Sequence, residues 1–280
     1  MPARKARAGQ LLVVRGVFYK SYRIMSRYVG SLVMILVMPY MLGGVFMGIG
    51  YALGGPSAAR NFAANTGVKN PFLYMVLGGA MMLAAMIIIE NTGSAIREEQ
   101  MIGTFELHYL TPNNMALLWL YHSLPMGLLM TAMFAADIAP LVAVEGGLLS
   151  PLEWLAAGGI LFLSLLPLVG IGLVLAALTV RFKEVWAVIN TVNSVITLLS
   201  GFYYPLELFP RIVREIAALV PTSHAAQLLK DIVARATLPP DAMQKVALLA
   251  VLSVAYLAAG WATYRRWEDN ARRTGELSKY

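Results

Sequence analysis

Few side chains in this sequence could do chemistry, and their spacing argues against a reaction centre. His108, His122 and His224 are the only histidines, and none has metal-ligand spacing or an H-E-x-x-H context. Each reads as a satisfied interface histidine. There is no cysteine, which removes disulfides, thiolate metal ligation and a cysteine nucleophile. Neither a G-x-S-x-G elbow nor a G-x-x-x-x-G-K-[ST] loop occurs, so nothing here cradles nucleotide phosphates in the P-loop manner. Glu90, Asp137, Glu145 and Glu153 fall near the ends of apolar runs, where a carboxylate faces water or a neighbouring cation. One polar set does recur at helical spacing. Asn190, Asn193, Ser194, Thr197 and Gly201 share one face. Polar side chains turn away from lipid and hydrogen-bond between helices. Contact between helices or between two copies is the ordinary reading, and a lining for a substrate path is the functional one. Met34, Met38, Met41, Met81, Met82 and Met86 offer either core packing or an adaptable surface for varied hydrophobic cargo.

The elements that position these residues are apolar helices. Of 280 residues, 59% are hydrophobic and 13% charged, against about a quarter charged in an ordinary soluble domain. A soluble fold could not clothe itself with so few polar groups, whereas a bilayer removes that need. A helical span takes roughly 20 largely apolar residues. By that measure about six spans are expected, at 31–51, 71–89, 115–136, 152–180, 185–199 and 243–264. Pro167, Gly170 and Gly172 are positioned to kink or tilt the fourth. The expected fold is all-α, with an interfacial segment 1–30, a transmembrane domain 31–264 and a basic tail 265–280. The basic N-terminus is not followed at once by a short apolar core and a cleavage site, so no cleavable signal is expected.

Charge sets the expected orientation. The formal net charge of +7 comes largely from the two ends and short loops. That is the pattern of membrane flanks rather than of a nucleic-acid surface. Arg15, Lys20, Arg23 and Arg27 precede the first span, Arg181 and Lys183 follow the fourth, and Arg265, Arg266, Arg272 and Arg273 follow the sixth. Both termini and the loops after spans two and four are expected to face the cytoplasm. Arg211, Arg214, Lys230 and Arg235 then fall outside, in a long segment that escapes the rule more easily than a short one. Before the first span, Leu11, Val14, Phe18, Tyr22, Met25 and Val29 share one helical face. This reads as an interfacial anchor or as a strut to a cytoplasmic partner.

Two connecting segments carry more information. In the inner loop 90–114, Gly103 can break a helix and Thr104 can cap the next piece. Phe105, Leu107, Tyr109 and Leu110 stand beside Arg97, Glu98, Glu99 and Glu106, as in a short helix suited to a groove on another protein. In the outer segment 200–240, Gly201 and Pro205 stop the fifth span. Phe202, Tyr203 and Tyr204 suit a membrane interface. Two short amphipathic helices follow, one carrying Ile212, Ile216 and Leu219 and the other Leu228, Leu229 and Ile232, and the run from there to the sixth span is too irregular to cross lipid bare.

Glu98 with Gly103-Thr104-Phe105-Glu106 and Thr111-Pro112 resembles the E-x-x-x-x-G-T-[LF]-E … T-P pattern of ATP-binding-cassette type-2 exporter permeases. Ser200-Gly201-Phe202-Tyr203-Tyr204-Pro205, with Pro210 and Pro221-Thr222, resembles that family's second signature. The resemblance implies a multi-pass protein of a prokaryotic cell membrane, paired with a second permease as homodimer or heterodimer. Two ATPase subunits would dock beneath the pair. ATP and magnesium would then belong to the partner, with no cofactor in this chain. It further implies that Arg97, Glu98, Glu99, Gly103, Thr104, Phe105 and Glu106 form a coupling helix, with Phe105 the apolar anchor on the ATPase. The segment 1–30 becomes a connecting helix, and 200–240 re-enters from outside as paired short helices. The inner-loop motif looks more like drug, antibiotic and lipid exporters. Gly30-Ser31-Leu32 with Met34 matches poorly the aromatic-rich start of polysaccharide exporters, and a non-transporting scaffold is the further alternative.

Overall fold

The computed structural model describes residues 2–68, 70–109, 114–144, 149–179, 185–234 and 239–274. Leu110, Thr111, Pro112, Glu145, Arg181, Lys183 and Arg235, and the side chains of Leu11, Glu106 and Tyr109, lie outside the described residues. Twelve α-helices occur among those residues, and no strand. They are α1 Pro2–Arg27, α2 Val29–Gly54, α3 Ala58–Thr66, α4 Pro71–Gly93, α5 Ala95–Ile102, α6 Phe105–Tyr109, α7 Met115–Val144, α8 Pro151–Thr179, α9 Val185–Ser200, α10 Arg211–Ala217, α11 Pro221–Leu229 and α12 Ala242–Thr274. The six expected spans correspond to α2, α4, α7, α8, α9 and α12. Five of these six are long and apolar enough to cross a bilayer. The exception is α9 at 16 residues, about 24 Å of helix at 1.5 Å per residue.

Local chemistry sets several boundaries. Asn70 Oδ1 accepts from the amides of Phe72 and Leu73, and Pro71 occupies the first turn of α4, where no amide is needed. Ser150 and Glu153 form a reciprocal box at the start of α8: Glu153 Oε2 accepts from the Ser150 amide at 2.7 Å, and Ser150 Oγ from the Glu153 amide at 3.3 Å. Pro167 lies inside uninterrupted helix. Gly170 of α8 is a contact point. A Cβ on Gly260 of α12 would lie 2.2 Å from its carbonyl oxygen, so these two helices meet backbone to backbone.

Packing divides the helices into centre and flank. The most apolar stretches of α8 and α4 are 72% and 67% buried, against 11% in the first span and 17% in α12. So α4 and α8 form the middle of the bundle, and α2 and α12 leave broad apolar faces for lipid or another chain. Tyr40 of α2 donates to the Asp137 carbonyl of α7 at 2.5 Å. The Asp137 carboxyl, expected near a water-facing span end, is buried instead, and its Oδ1 has no partner among the described residues. α7 runs to Val144, so the hydropathy minimum around Asp137 does not mark its end.

α1 packs on α7 with a face that shares Val14 and Met25 with the expected one but is turned away from Phe18 and Tyr22. Val14, Val17, Ser21 and Met25 are half-buried, whereas Phe18 and Tyr22 are exposed. A helix at an interface has two apolar neighbours, protein and lipid, and periodicity does not distinguish them.

Candidate functional site

Two sites emerge, one between helices and one at a bundle end. An open cavity of about 700 Å³ lies among α2, α4, α9 and the turn that follows α9. From α9 it collects Asn190, Asn193, Ser194, Thr197 and Leu198; from α4, Met75, Met82 and Met86; from α2, Leu42 and Phe46. Tyr203 and Tyr204 complete the wall. Asn190, Asn193, Ser194 and Thr197 of α9 are thus brought together with Met82 and Met86, two of the three expected α4 methionines. Met81 is in the core, and Met34, Met38 and Met41 are exposed on α2 away from this lining. Asn193 is 4% exposed, and its Oδ1 has no hydrogen-bond partner among the described residues. Ser194 donates to the Asn190 carbonyl within the helix. The chemistry is that of a mainly apolar pocket with a few amide and hydroxyl groups to orient a guest.

The turn after α9 departs from the interfacial reading. Gly201 has φ of +64°, and a Cβ there would sit 2.8 Å from Leu206, so only glycine fits the stop. Phe202 and Tyr203 are buried, not presented to headgroups, and Tyr203 packs on Phe46 with ring centroids 4.3 Å apart. Pro210 precedes α10, and Pro221 starts α11. α11 is buried against α8, α9 and α12, while Ile212, Ile216 and Leu219 in and beside α10 are exposed. These two short helices therefore differ: one enters the bundle and one lies on it. Sequence reasoning left Lys230 among the loop cations, yet it is buried at the end of α11.

At the opposite end, α5 and α6 form a hairpin around Gly103, whose φ is +78°. Glu99 is its hub. The carboxylate accepts from the Thr104 hydroxyl, lies 3.0 Å from His108 Nε2 and accepts from Lys20 Nζ of α1 at 3.2 Å. Burial raises the Glu99 pKa, but Thr104, Lys20 and His108 outweigh it and hold the group below the usual carboxylate range. Glu98 is exposed and accepts from Ser94 Oγ at 2.6 Å; Arg97 is half-buried. Phe105 corrects the motif reading. It is 4% exposed, in a cluster with Ile96, Met115, Trp119, Tyr264 and Trp267, where Trp119 Nε1 donates to Tyr264 at 2.8 Å. Among the described side chains of the hairpin, the exposed apolar ones are Met101 at 74%, Ile102 at 71% and Leu107 at 59%. Pattern alone could not separate these from Phe105, because an anchor for the chain's own core and one for a partner are equally apolar.

Among the described residues no group of three or more His, Asp or Glu side chains gathers in a way that could hold a metal ion. The model of the ABC-2 type transporter family matches residues 10–233 of the chain. No curated protein matches it.

Proposed function

This chain belongs to the ABC-2 type transporter family and is a multi-pass membrane permease, and from that premise we propose that it exports a hydrophobic or amphiphilic compound on ATP hydrolysed by a separate ATPase subunit. The observation that carries this reading is the open cavity among α2, α4 and α9, apolar and methionine-lined, with the unpaired Asn193 amide oxygen in its wall. Methionines adapt to varied apolar shapes, and a buried acceptor without a partner is stabilised by a guest that donates. The cavity's openness favours a second permease as its other wall.

Energy would enter at the α5–α6 hairpin. Met101, Ile102 and Leu107 offer the apolar contact to the ATPase, and Arg97 and Glu98 flank it. Glu99, Gly103, Thr104 and Phe105 hold the hairpin rigid, so that movement of the ATPase passes through Lys20 to α1 and through Phe105 to α7, α8 and α12. In this arrangement both termini face the cytoplasm, and the turn after α9 faces out.

The test is reconstitution of the permease with its ATPase in proteoliposomes. Amphiphilic compounds are expected to stimulate ATP hydrolysis, and Asn193→Leu to raise the concentration needed for half-stimulation. A lipid-linked glycan as the only stimulating compound would assign the glycan-export alternative. No stimulation by any of these compounds, with the complex intact, would leave a membrane scaffold. For orientation, a cysteine introduced by Met101→Cys should be labelled by an impermeant reagent in inverted vesicles but not in intact cells.

A further inference from the structure

A lysine is buried in the bundle, beside the buried Asp231 and at the wall of a small polar cavity. Lys230 is 4% exposed and opens the π turn Lys230–Ala234 that continues α11. Its ammonium donates to the Tyr74 hydroxyl of α4 at 2.7 Å and to the Gly201 carbonyl at 2.6 Å. Tyr74 is braced edge-on by Phe62 of α3, with centroids 5.3 Å apart. A buried ammonium persists only where hydrogen bonds satisfy it, and removing its partners is strongly destabilising. Single π turns are rare and frequent at functional positions.

What the ammonium holds is the turn that walls the cavity. Gly201 comes two and three residues before Tyr203 and Tyr204, which line the α2–α4–α9 space. The Tyr203 hydroxyl has no partner among the described residues, so it does not fasten the turn. Tyr204 donates back to Leu198 of α9, which ties the turn to its own helix rather than to α4. The Lys230 bonds run between α11, α4 and the turn, adding a polar tie to the close packing of Gly78 on the Phe202 backbone and to the Ser200–Thr222 hydroxyl contact. Beside them is a polar cavity of about 130 Å³ lined by Glu207, Gln227, Asp231 and Lys245, among others. Lys230 itself lines this cavity, so a displaced ammonium has a polar and partly acidic place to go.

We propose that Lys230 is a positioning residue for transport: by clamping Gly201 to Tyr74 it holds the Tyr203–Tyr204 turn closed over one end of the cavity, and release of the clamp opens that end to cargo. The proposal rests on the reading of this cavity as the substrate path. It predicts a change in access that a purely stabilising lysine would not produce.

The cysteine-free chain permits a direct experiment on the full-length permease in cells. A reporter cysteine is introduced by Thr197→Cys in the cavity wall, and a separate control by Leu208→Cys on the exposed surface at the same end. Labelling by an impermeant maleimide is followed in intact cells and in inverted vesicles, and the side that labels the control is the side on which the reporter is compared. Lys230→Met is expected to speed reporter labelling on the order of tenfold, the factor by which a lost bond to a charged group shifts an open–closed equilibrium. Tyr74→Phe keeps the ring and the Gly201 bond, and should give a several-fold increase. Lys230→Arg should restore slow labelling. Control labelling should not change in any variant. Reporter labelling at the wild-type rate in Lys230→Met, or in Tyr74→Phe should the former fail to reach the membrane, overturns the clamp. Should the control label only in inverted vesicles, the orientation is wrong while the clamp is still judged on that side. Failure of cargo-stimulated hydrolysis with a positive labelling result would sink the transport reading alone.

Discussion

Phe105 and Leu107 are two residues apart in one short helix and have opposite surroundings. Phe105 fills a cluster built from α5, α7, α8 and α12, and Leu107 faces outward. Phe105→Ala is therefore predicted to cost about 3–5 kcal/mol of stability by leaving a cavity. Leu107→Ala should change stability by no more than about 0.5 kcal/mol yet weaken ATPase association by about 1–2 kcal/mol if it belongs to the contact centre. Thermal midpoints in detergent and co-purification of the ATPase separate the two; weak association in Phe105→Ala at full stability would contradict this assignment. Glu99 supplies a pH-dependent prediction. Its folded-state pKa is lowered, so its contribution is complete above the ordinary value of 4.5 and disappears as pH falls through the lower folded value. Glu99→Gln should lose roughly 1.5–3 kcal/mol at neutral pH. The gap to wild type should persist at pH 5 and close on further acidification below 4.5. A gap that stays constant to pH 3 would mean that the carboxylate is not the hub.

Helices α8 and α12 show what close approach demands. Gly170 and Gly260 let the two backbones touch, as small residues do in membrane bundles. Gly260→Val is predicted to cost at least about 3 kcal/mol, because the new side chain meets carbonyl backbone that cannot yield. Gly159→Ala in α8 is the control: its Cβ meets nothing within 4 Å, and a small gain in stability is expected. Equal midpoints for wild type and Gly260→Val would rule out the backbone contact. The short helix α9 makes a second point at this scale. At about 24 Å it falls short of a hydrocarbon core of about 30 Å. The buried helix α11, packed against it, covers irregular backbone that could not face lipid.

Across the molecule, α2 and α9 leave apolar and amide surface beside the cavity uncovered by their own chain. Replacing Asn190 and Asn193 together by leucine tests what that surface is for. As contacts between two permeases, the amides should each contribute roughly 0.6–2 kcal/mol to assembly, and the double variant should shift toward monomer in cross-linking. As a lining, assembly should survive while cargo stimulation of ATP hydrolysis changes. Unchanged assembly together with unchanged stimulation would exclude both roles. The two amides already differ: Asn193 is buried with an unpaired oxygen, whereas Asn190 is exposed.

Much of this architecture is legible in the linear chain, since a bilayer imposes a local rule. Every crossing helix needs a long apolar run, and every break needs its glycine, proline or cap. The five long apolar helices, the break at Gly103 and the stop at Gly201 follow from that rule, and the polar face of α9 follows from helical spacing. What each apolar side chain touches does not. Lipid, protein core and partner surface have nearly the same polarity, so hydropathy cannot tell Phe105 from Leu107, or assign Phe202 and Tyr203 to the core rather than the headgroups. Only tertiary packing made those choices. It also turned Lys230 from a loop cation into a buried clamp, because its partners Tyr74 and Gly201 stand 156 and 29 residues away, beyond the reach of any local pattern.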